Sequence, residues 1–600
     1  QGVSGMQWRF GSGIHKADAA ELPAMAASEG WTTYSLNLSE IAGDELVSEA
    51  PSRARIDLGS IPGVRLQIRN IIVRPASDDE VAKRDANNER RLAKQRLAER
   101  IDSYQSRRWP ARIVSVSQEG SHWKLIGRLD SATSIDGAFA IARHPQSVSA
   151  DLPTSLERSQ KWVVRIDDDG RTIRTMIPRA DLSAQRATFL RFQLFTRSDT
   201  AIVPISPAFS VGPAPNKAPR DTDHSLQKSL HAAKGLTCIT SRFSPDQLRE
   251  LGLQHASVNL VLSGLVSETK LPGWKSREIK GRVWWVNEGR LRVKDRDIRT
   301  IVDAGAVAAG ILLIPTTKSH PSPIAHPEST SAGTYAMPNL TSRRSIERYA
   351  AILEILGERY GGSHAEFGRV DHWIVHNEVD YGWQWTNMGE QPMEIFMDHY
   401  VRSMRMVDAA ARRHNPEARV FISLTHRWNT SHNQHWKTYA PKAMLDWLLQ
   451  NSRLEGDFPW GVAYHPYPQS LWKADFWNDN RVTDDFETEL ITMKNLQVLD
   501  RFLHLSSSRT ADGRVRQVIC SEQGFHADSD DPKQLRIQAA ALLKTWQKLR
   551  DCPSVLAFDY HRPSDHPREG GLRLGLRGLP TKSNPLGAPK PAWDVYSAIG

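Results

Sequence analysis

The sequence predicts a multidomain protein in which a C-terminal α/β domain, a (β/α)8 or TIM barrel, follows two small all-β sandwich domains joined by a charged helix. Six hundred residues are too many for one hydrophobic core. The first third alternates apolar and polar residues, as β-strands do, and the remainder places short apolar runs between amphipathic helical segments. A hydrophobic content of 40% and a charged content of 24% are typical of a globular chain.

The first third divides into two strand-rich segments, a helix and a linker. Residues 1–76 alternate with period two, for example at 31–38 and 64–71, which predicts a small antiparallel β-sandwich. Residues 77–108 are dense in charged residues and Ala and lack Pro and Gly, so they predict a solvated connecting helix. Residues 109–210 predict an immunoglobulin-like sandwich, and residues 211–223 a stiff Pro-rich linker.

Residues 224–600 contain eight short apolar runs, which we interpret as the strands of a closed barrel. Helical segments lie between them, such as Ser345–Arg359, Met393–His414, Pro441–Gln450 and Lys533–Arg550. An open doubly wound sheet is the alternative, but no GxGxxG turn follows the first run. The runs are Leu236–Thr240, Ala256–Leu262, Ala308–Ile314, His372–His376, Arg419–Leu424, Gly461–His465, Val515–Ser521 and Val555–Tyr560.

Charge, hydropathy and cysteine content exclude several classes of protein. The formal net charge is +10, but the basic residues are scattered among 68 acidic ones, so we expect no nucleic acid partner. No apolar run approaches the ~18 residues of a membrane span. The three cysteines are far apart, which excludes a dense disulfide scaffold and a zinc finger. We expect no cofactor and no metal.

Two glutamates end predicted barrel strands. Glu378 closes the motif His376-Asn377-Glu378 after the fourth run, and Glu522 follows the seventh. Because the C-terminal ends of barrel strands meet at one mouth, we expect both carboxyl groups there. Two carboxyl groups that flank one bond are the usual requirement for cleaving a glycosidic linkage.

This pattern resembles glycoside hydrolase clan A, a group of (β/α)8 barrels in which Asn-Glu ends strand four and Glu ends strand seven. Over about residues 230–600 the chain is also similar to the bacterial family called domain of unknown function 5722 (DUF5722). The motifs that carry this second resemblance are HNEVDYGW at 376–383, YHPYP at 464–468, SEQGF at 521–525, GGLRLGL at 570–576 and KPAWDVY at 590–596.

The clan resemblance implies a retaining O-glycosyl hydrolase that acts on a β-linked poly- or oligosaccharide by double displacement. Because a carbohydrate-binding-like module often precedes such a barrel, the resemblance also implies that the sandwich of residues 1–76 is carbohydrate-binding-like. It implies that Glu378 is the acid/base, that Glu522 is the nucleophile, and that Asn377 hydrogen-bonds the sugar 2-hydroxyl. His465 or Tyr467, which end strand six, would support the charge of the nucleophile. Clan members often carry an arginine near strand two and a tryptophan after strand eight, where this chain has Asn259 and His561-Arg562.

Further substrate contacts are expected from the mouth loops, which hold nine of the 19 tryptophans. Flat aromatic rings stack on the apolar faces of sugars. The expected partner is a carbohydrate, and the basic residues after strand eight make an anionic polysaccharide one candidate. The oligomeric state is left open. The residues that we assign to substrate binding, besides Asn377, are His376, Asn259, Trp383, Trp385, His465, Tyr467, Trp472, His561 and Arg562.

Two other functions are weighed against the hydrolase. A catalytically inactive glycan-binding protein would also need sandwiches and a tryptophan-rich groove. A metal-dependent barrel hydrolase is the third hypothesis, although no His-x-His ends the first predicted strand. The chain starts at Gln1, so we expect that a signal peptide or an expression tag has been removed. From the function, polysaccharide degradation, we expect a secreted or periplasmic protein.

Overall fold

The chain forms two compact units, Gln1–Ala93 and Lys94–Gly600. A computed structural model describes residues 7–10, 19–21, 54–57, 74–130, 137–143, 146, 148, 150–151, 160–179, 190–197, 201–212, 230–317, 322–362 and 366–599. Within these ranges, no helix combines the length and the apolar character that crossing a membrane requires.

The first unit holds a three-stranded antiparallel sheet in which Gln7–Phe10 pairs with both Ala19–Glu21 and Ala54–Asp57. The strands expected at 31–38 and 64–71 lie outside the described residues, so the first sandwich stays a prediction.

One helix spans Asp78–Ser106, close to the predicted 77–108. Its first turn is acidic, which suits the positive end of the helix dipole.

Two antiparallel sheets follow and enclose one apolar cluster that includes Trp123, Leu125, Trp162 and Leu194. The immunoglobulin-like topology stays a prediction, and most of the expected linker lies outside the described residues. One sheet consists of Ala111–Glu119, His122–Leu129, Arg165–Ile166 and Thr172–Pro178. The other consists of Phe139–Arg143, Trp162–Val163, Arg191–Arg197, Ile202–Pro204 and Phe209–Ser210.

Eight parallel strands, each bonded to the next, close into a barrel, which confirms the predicted barrel. In order they are Ala233–Leu236, His255–Val261, Val307–Leu313, His372–Val375, Arg419–Leu424, Trp460–Tyr464, Val518–Gln523 and Val555–Tyr560. The main helices after the successive strands are Pro245–Glu250, Glu288–Asp303, Arg343–Tyr360, Met393–His414, Pro441–Glu455, Gln497–His504, Pro532–Leu549 and Pro591–Ala598. A hairpin, Lys275–Ile279 with Arg282–Val286, pairs with Val266–Ser267 after strand two.

The first barrel strand begins earlier than its predicted position, Leu236–Thr240. Ala233 to Leu236 pair with strand eight, whereas Cys238 has a left-handed backbone with φ of 58° and lies beyond the strand. Ala233 and Gly235 carry too little apolar side chain to be recognised as a strand. Because Gly235 has no Cβ, the Asp559 carboxylate fits beside it inside the barrel.

The barrel interior contains a buried polar chain among apolar side chains. His255 Nδ1 lies 2.6 Å from Asp559 Oδ1, and His255 Nε2 lies 3.0 Å from His372 Nδ1. Alternation on strand two directs His255, Ser257 and Asn259 inward, while the residues between them pack against the helices. Asn259 is therefore an inward-facing residue at the open end of the barrel, where it is exposed.

Within the second unit, the sandwich sheets and the barrel are joined through a buried tyrosine. The Tyr104 hydroxyl donates to Glu455 Oε1 at 2.8 Å and accepts from the Ala208 backbone amide at 2.8 Å. All three groups are buried. Because a buried polar group without a partner is costly, this bridge should stabilise the unit.

We expect Tyr104→Phe to lower the free energy of unfolding of the second unit by about 1–3 kcal/mol, because it leaves a buried carboxylate and a buried amide without their partner. Chemical denaturation would measure the change. Tyr381→Phe is the matched control, since among the described residues its hydroxyl makes no hydrogen bond. Equal stability of the two variants would contradict the bridging role.

Candidate active site

A β-bulge directs Glu522 into the barrel mouth. Ile519 faces the barrel interior, so strict alternation would point Glu522 outward. The pairing of strands seven and eight shifts between Cys520 and Gln523, where three steps along strand seven match two along strand eight. This extra residue reverses the alternation, as bulges beside active sites commonly do.

Left-handed backbone conformations place Glu378 after strand four. The strand ends at Val375, and then His376 has φ of 65° and Glu378 has φ of 38°. Such conformations cost a non-glycine residue on the order of 1 kcal/mol or more, and they cluster at functional sites. The Glu378 backbone amide donates to Ser423 Oγ at 2.9 Å, which ties the turn to the end of strand five.

The segment that follows strand six supplies a hydrogen-bonding partner for each glutamate. His465 Nδ1 lies 2.8 Å from Glu378 Oε1, and the Tyr467 hydroxyl donates to Glu522 Oε1 at 3.0 Å. Both partners are buried, whereas the glutamates are partly exposed. Among the described residues no protein group hydrogen-bonds to Oε2 of either glutamate, so these oxygens are available to a ligand.

Charges within the mouth shift the pKa values of Glu522 and His465. Burial alone would raise the pKa of Glu522, but the charges of His561 and His465 and the Tyr467 hydroxyl hold that pKa below its usual value. Burial lowers the pKa of His465, yet the hydrogen bond to Glu378 and the charge of Glu522 raise it overall. His465 therefore interacts with both carboxylates.

The buried carboxyl group of Asp380 lies beneath the turn that carries Glu378. It accepts from the Thr425 amide at 2.9 Å and from the Thr425 hydroxyl at 2.5 Å. Burial, reinforced by the charge of Glu378, raises the pKa of Asp380 to about 7. Sequence analysis missed this residue because nothing in its spacing distinguishes it from a surface aspartate.

We expect Tyr467→Phe to reduce kcat/KM about 10–100-fold, with the larger loss at low pH, because Glu522 loses a donor that favours its ionised form. The pH–rate profile of the purified variant would measure this. Tyr360→Phe is the matched control, since it removes a tyrosine-to-Asp295 hydrogen bond of the same 3.0 Å length between two barrel helices. Identical pH–rate profiles for the two variants would contradict a role of the Tyr467 hydroxyl in keeping Glu522 ionised.

Several predicted substrate contacts lie at or near this mouth. Asn377 is half-buried and adjoins Glu378. Its backbone carbonyl accepts a hydrogen bond from the Thr386 hydroxyl. Trp385 is half-buried 6.1 Å from the ring of Tyr335. Burial and the charge of Glu522 raise the pKa of Tyr335, which sequence analysis had not identified.

Two other predicted tryptophans differ in how their rings are covered. The Lys437 ammonium lies 4.4 Å above the ring of Trp383, so one face of that ring is occupied. Trp472 is 56% exposed, and its ring lies 5.0 Å from that of His526 at an interplanar angle of 69°. Trp472 is therefore the more available stacking surface. Of the other loop tryptophans, Trp284 and Trp428 are buried anchors.

His376 does not join the glutamates, although its neighbours in the sequence predicted a substrate contact. Its Nε2 lies 3.0 Å from Ser403 Oγ on the helix outside strand four, and its Nδ1 lies 3.2 Å from the Leu312 carbonyl. Burial lowers its pKa to about 4. The left-handed backbone at this residue turns the ring into the barrel wall.

His561 and Arg562 lie at the mouth but are engaged by an acidic residue that sequence analysis missed. Glu569 Oε1 lies 3.3 Å from His561 Nε2 and 2.5 Å from Arg562 Nη1. The charge of Arg562 is therefore already compensated. Within the described ranges, no group of three or more His, Cys, Asp or Glu side chains is arranged to hold a metal ion.

Comparisons with known proteins identify a family and distant structural likenesses. Residues 227–600 match the model of DUF5722, a family of unknown function, which confirms the family resemblance. No curated protein matches the sequence. A family 39 glycoside hydrolase from Bacteroides cellulosilyticus WH2 is 12% identical with a TM-score of 0.40, over 82% of this chain and 80% of that one. A family 1 β-glucosidase from Thermotoga maritima is 12% identical with a TM-score of 0.37, over 59% and 84%.

Proposed function

We propose that the chain, which belongs to the DUF5722 family of unknown function, is a retaining glycoside hydrolase that cleaves a β-linked poly- or oligosaccharide. In this proposal Glu522 is the nucleophile and Glu378 is the acid/base. The observation that carries it is the shared surroundings of the two glutamates. His465, which pairs with Glu378 at 2.8 Å, and Tyr467, which donates to Glu522 at 3.0 Å, lie two positions apart in the segment after strand six.

The two carboxyl groups suit the two roles for different reasons. A nucleophile must be ionised, and the positive surroundings of Glu522 favour that state. An acid/base must exchange a proton with the substrate, and Glu378 has Oε2 available while His465 engages Oε1. Retaining hydrolysis requires the two groups to lie about 5–5.5 Å apart across the bond.

The reaction then proceeds in two displacements. The Glu522 carboxylate attacks the anomeric carbon while Glu378 donates a proton to the departing glycosidic oxygen, which leaves a glycosyl-enzyme ester. Glu378, now ionised, removes a proton from water. The resulting attack breaks the ester, releases the sugar with its original configuration and restores both groups.

The substrate contacts that we propose are Asn377, Asn259, Trp385 and Trp472. Trp472 offers an exposed ring for stacking, and Asn377 adjoins the acid/base. A neutral sugar fits this mouth better than an anionic one, because Glu569 already neutralises Arg562. Degradation of a polysaccharide would take place outside the cytoplasm, which keeps a secreted or periplasmic location as part of the proposal.

A screen of the full chain against neutral, uronic and sulfated plant and marine polysaccharides tests the proposal. Released oligosaccharides would be separated by chromatography and identified by mass spectrometry. We expect products from at least one β-linked glycan and none from the Glu378→Gln/Glu522→Gln double variant. Glycan binding on an array without any released product would favour the non-catalytic alternative instead.

A further inference from the structure

The turn that carries Glu378 is bound to the end of strand five from both sides. The Glu378 backbone amide donates to Ser423 Oγ at 2.9 Å, and the Thr425 backbone amide donates to Asp380 Oδ1 at 2.9 Å. The Thr425 hydroxyl donates to Asp380 Oδ2 at 2.5 Å. Each segment thus offers a backbone amide to a side chain of the other. We call Asp380, Ser423 and Thr425 the turn clamp.

The turn is short, so contacts made by Asp380 restrict Glu378 as well. The Tyr381 backbone amide donates to the Glu378 carbonyl at 2.9 Å, and Asp380 lies inside the turn that this bond closes. The Asp380 carbonyl accepts from the Tyr439 amide at 2.8 Å. Glu378 has φ of 38°, a conformation that a non-glycine residue keeps only where its surroundings impose it. The contacts of Asp380 help to impose it.

The imidazole that meets the Glu378 carboxylate is held by the same end of strand five. The His465 backbone amide donates to the Leu424 carbonyl at 2.9 Å, and Leu424 lies between Ser423 and Thr425. His465 Nδ1 in turn lies 2.8 Å from Glu378 Oε1. Three consecutive residues therefore fix both the turn of Glu378 and the backbone of its imidazole partner.

The turn clamp is shielded from water. Asp380 and Ser423 are fully buried, and Thr425 is 5% exposed. A carboxyl group is costly to bury unless it is hydrogen-bonded, and Thr425 supplies a donor to each oxygen of Asp380. Burial, reinforced by the charge of Glu378, raises the pKa of Asp380 to about 7. A neutral amide of the same shape is therefore a close substitute for this carboxyl group.

We propose that Asp380 is a positioning residue for Glu378, and that its contacts with Thr425 hold the Glu378 carboxyl group against His465. The proposal rests on the proposed function, in which Glu378 is the acid/base. A general acid must lie within hydrogen-bond reach of the atom that it protonates, so a relaxed turn would impair proton transfer to the leaving oxygen. Because Asp380 is fully buried, it acts only through Glu378.

Two substitutions that both remove the carboxylate of Asp380 test the clamp without a substrate. Asparagine accepts from the Thr425 amide and donates to the Thr425 hydroxyl, whereas alanine makes neither bond. In crystal structures of the full chain, Glu378 Oε1 should stay within about 3.2 Å of His465 Nδ1 in Asp380→Asn. In Asp380→Ala it should lie beyond about 3.5 Å. A hydrogen bond of parental length in Asp380→Ala overturns the proposal.

Kinetics distinguish positioning from general damage to the fold. On a glycan that the chain cleaves, kcat/KM of Asp380→Ala should be about 10–100-fold below that of Asp380→Asn, since a small misplacement of a catalytic group is costly. On the nitrophenyl glycoside of the same sugar, whose leaving group departs without a proton, the two variants should agree within about threefold. Equal losses on both substrates would contradict positioning.

Asp500→Ala is the matched control for Asp380→Ala. Asp500 Oδ1 accepts from the Ser554 amide at 2.8 Å and from the Ser554 hydroxyl at 2.6 Å, so the same kinds of donor are lost. Ser554 precedes strand eight, at the end of the barrel opposite the mouth. We expect Asp500→Ala to keep the parental ratio of kcat/KM on the two substrates.

Thr425→Val keeps the proposal testable if Asp380→Ala does not fold. It removes one of the two bonds to Asp380 and should lower kcat/KM on the glycan about 3–10-fold, with no loss on the nitrophenyl glycoside. Thr545→Val should match the parent, because the Thr545 hydroxyl is buried and has no hydrogen-bond partner among the described residues. Parental activity of Thr425→Val on the glycan would contradict the clamp.

The outcomes separate the clamp from the proposed function. A displaced Glu378 in Asp380→Ala, in a chain that hydrolyses no glycan, would retain the clamp and refute the glycosidase. Hydrolysis that requires Glu378, with equal activity in Asp380→Ala and Asp380→Asn, would refute the positioning role alone.

Discussion

Glu522→Gln is expected to lower kcat on the cleaved glycan by about 10⁴-fold or more, equivalent to roughly 5 kcal/mol of transition-state stabilisation. Glutamine keeps the size of the side chain and its hydrogen bond with Tyr467 but cannot form the glycosyl ester. The loss should therefore appear with every leaving group, including activated aryl glycosides. Initial rates on the glycan and on an aryl glycoside of the same sugar would measure it.

A chemical rescue distinguishes a lost nucleophile from a damaged fold. In Glu522→Gly, azide can enter the vacated space and attack the anomeric carbon directly, which yields the α-glycosyl azide. Glu489→Gln, an exposed change in a loop after strand six, should keep parental activity. Near-parental activity of Glu522→Gln would remove this residue from the mechanism.

The pH dependence of kcat/KM follows from the groups that surround Glu522. Glu522 must be ionised to attack, so activity should fall as the pH drops through its pKa. Because the nearby histidines and Tyr467 hold that pKa below the usual value for glutamate of about 4.3, the acid limb of kcat/KM should lie below that pH.

Glu378→Gln is expected to lower kcat/KM on the glycan by about 10²–10⁴-fold, since the leaving oxygen no longer receives a proton. The effect should depend on the leaving group, which separates this residue from Glu522. A nitrophenyl group departs without protonation, so the glycosyl-enzyme should still form on that substrate. Burst kinetics with the nitrophenyl glycoside would show its formation.

Azide also distinguishes a lost acid/base from a damaged fold in variants of Glu378. In Glu378→Ala it should react with the glycosyl-enzyme from the side that water normally uses, and so give the β-glycosyl azide. Equal losses on aryl glycosides and on the glycan, with no azide product, would contradict the acid/base role. The two rescues thus predict opposite anomers for the two glutamates.

The positions of the strands were predictable from the sequence because buried parallel strands are short apolar runs. Strand four and strand seven have the ordinal places that the pattern predicted, and helix Met393–His414 has the predicted bounds. The predicted position of strand one lies too far along the chain, because Ala233 and Gly235 are too small to be recognised as part of an apolar run.

The directions of side chains beyond the strand ends were not predictable in the same way. The bulge before Gln523 reverses the orientation of Glu522. The left-handed backbone of His376 turns the ring of that residue into the barrel wall. The bulge depends on pairing with strand eight, and the His376 ring contacts Ser403 and the Leu312 carbonyl, so no local pattern encodes either direction. Glu569 was missed because its partners lie at His561 and Arg562 across a loop that carries no motif.

The anomer released first tests the central claim most directly. Proton NMR of the earliest hydrolysis products, recorded before mutarotation, reports which face of the sugar the water attacks. If Glu378 and Glu522 act on one anomeric centre by double displacement, the β-anomer appears first. An α-anomer at the earliest time would instead require a water held between carboxyl groups about 6.5–9.5 Å apart, and would contradict Glu522 as a nucleophile.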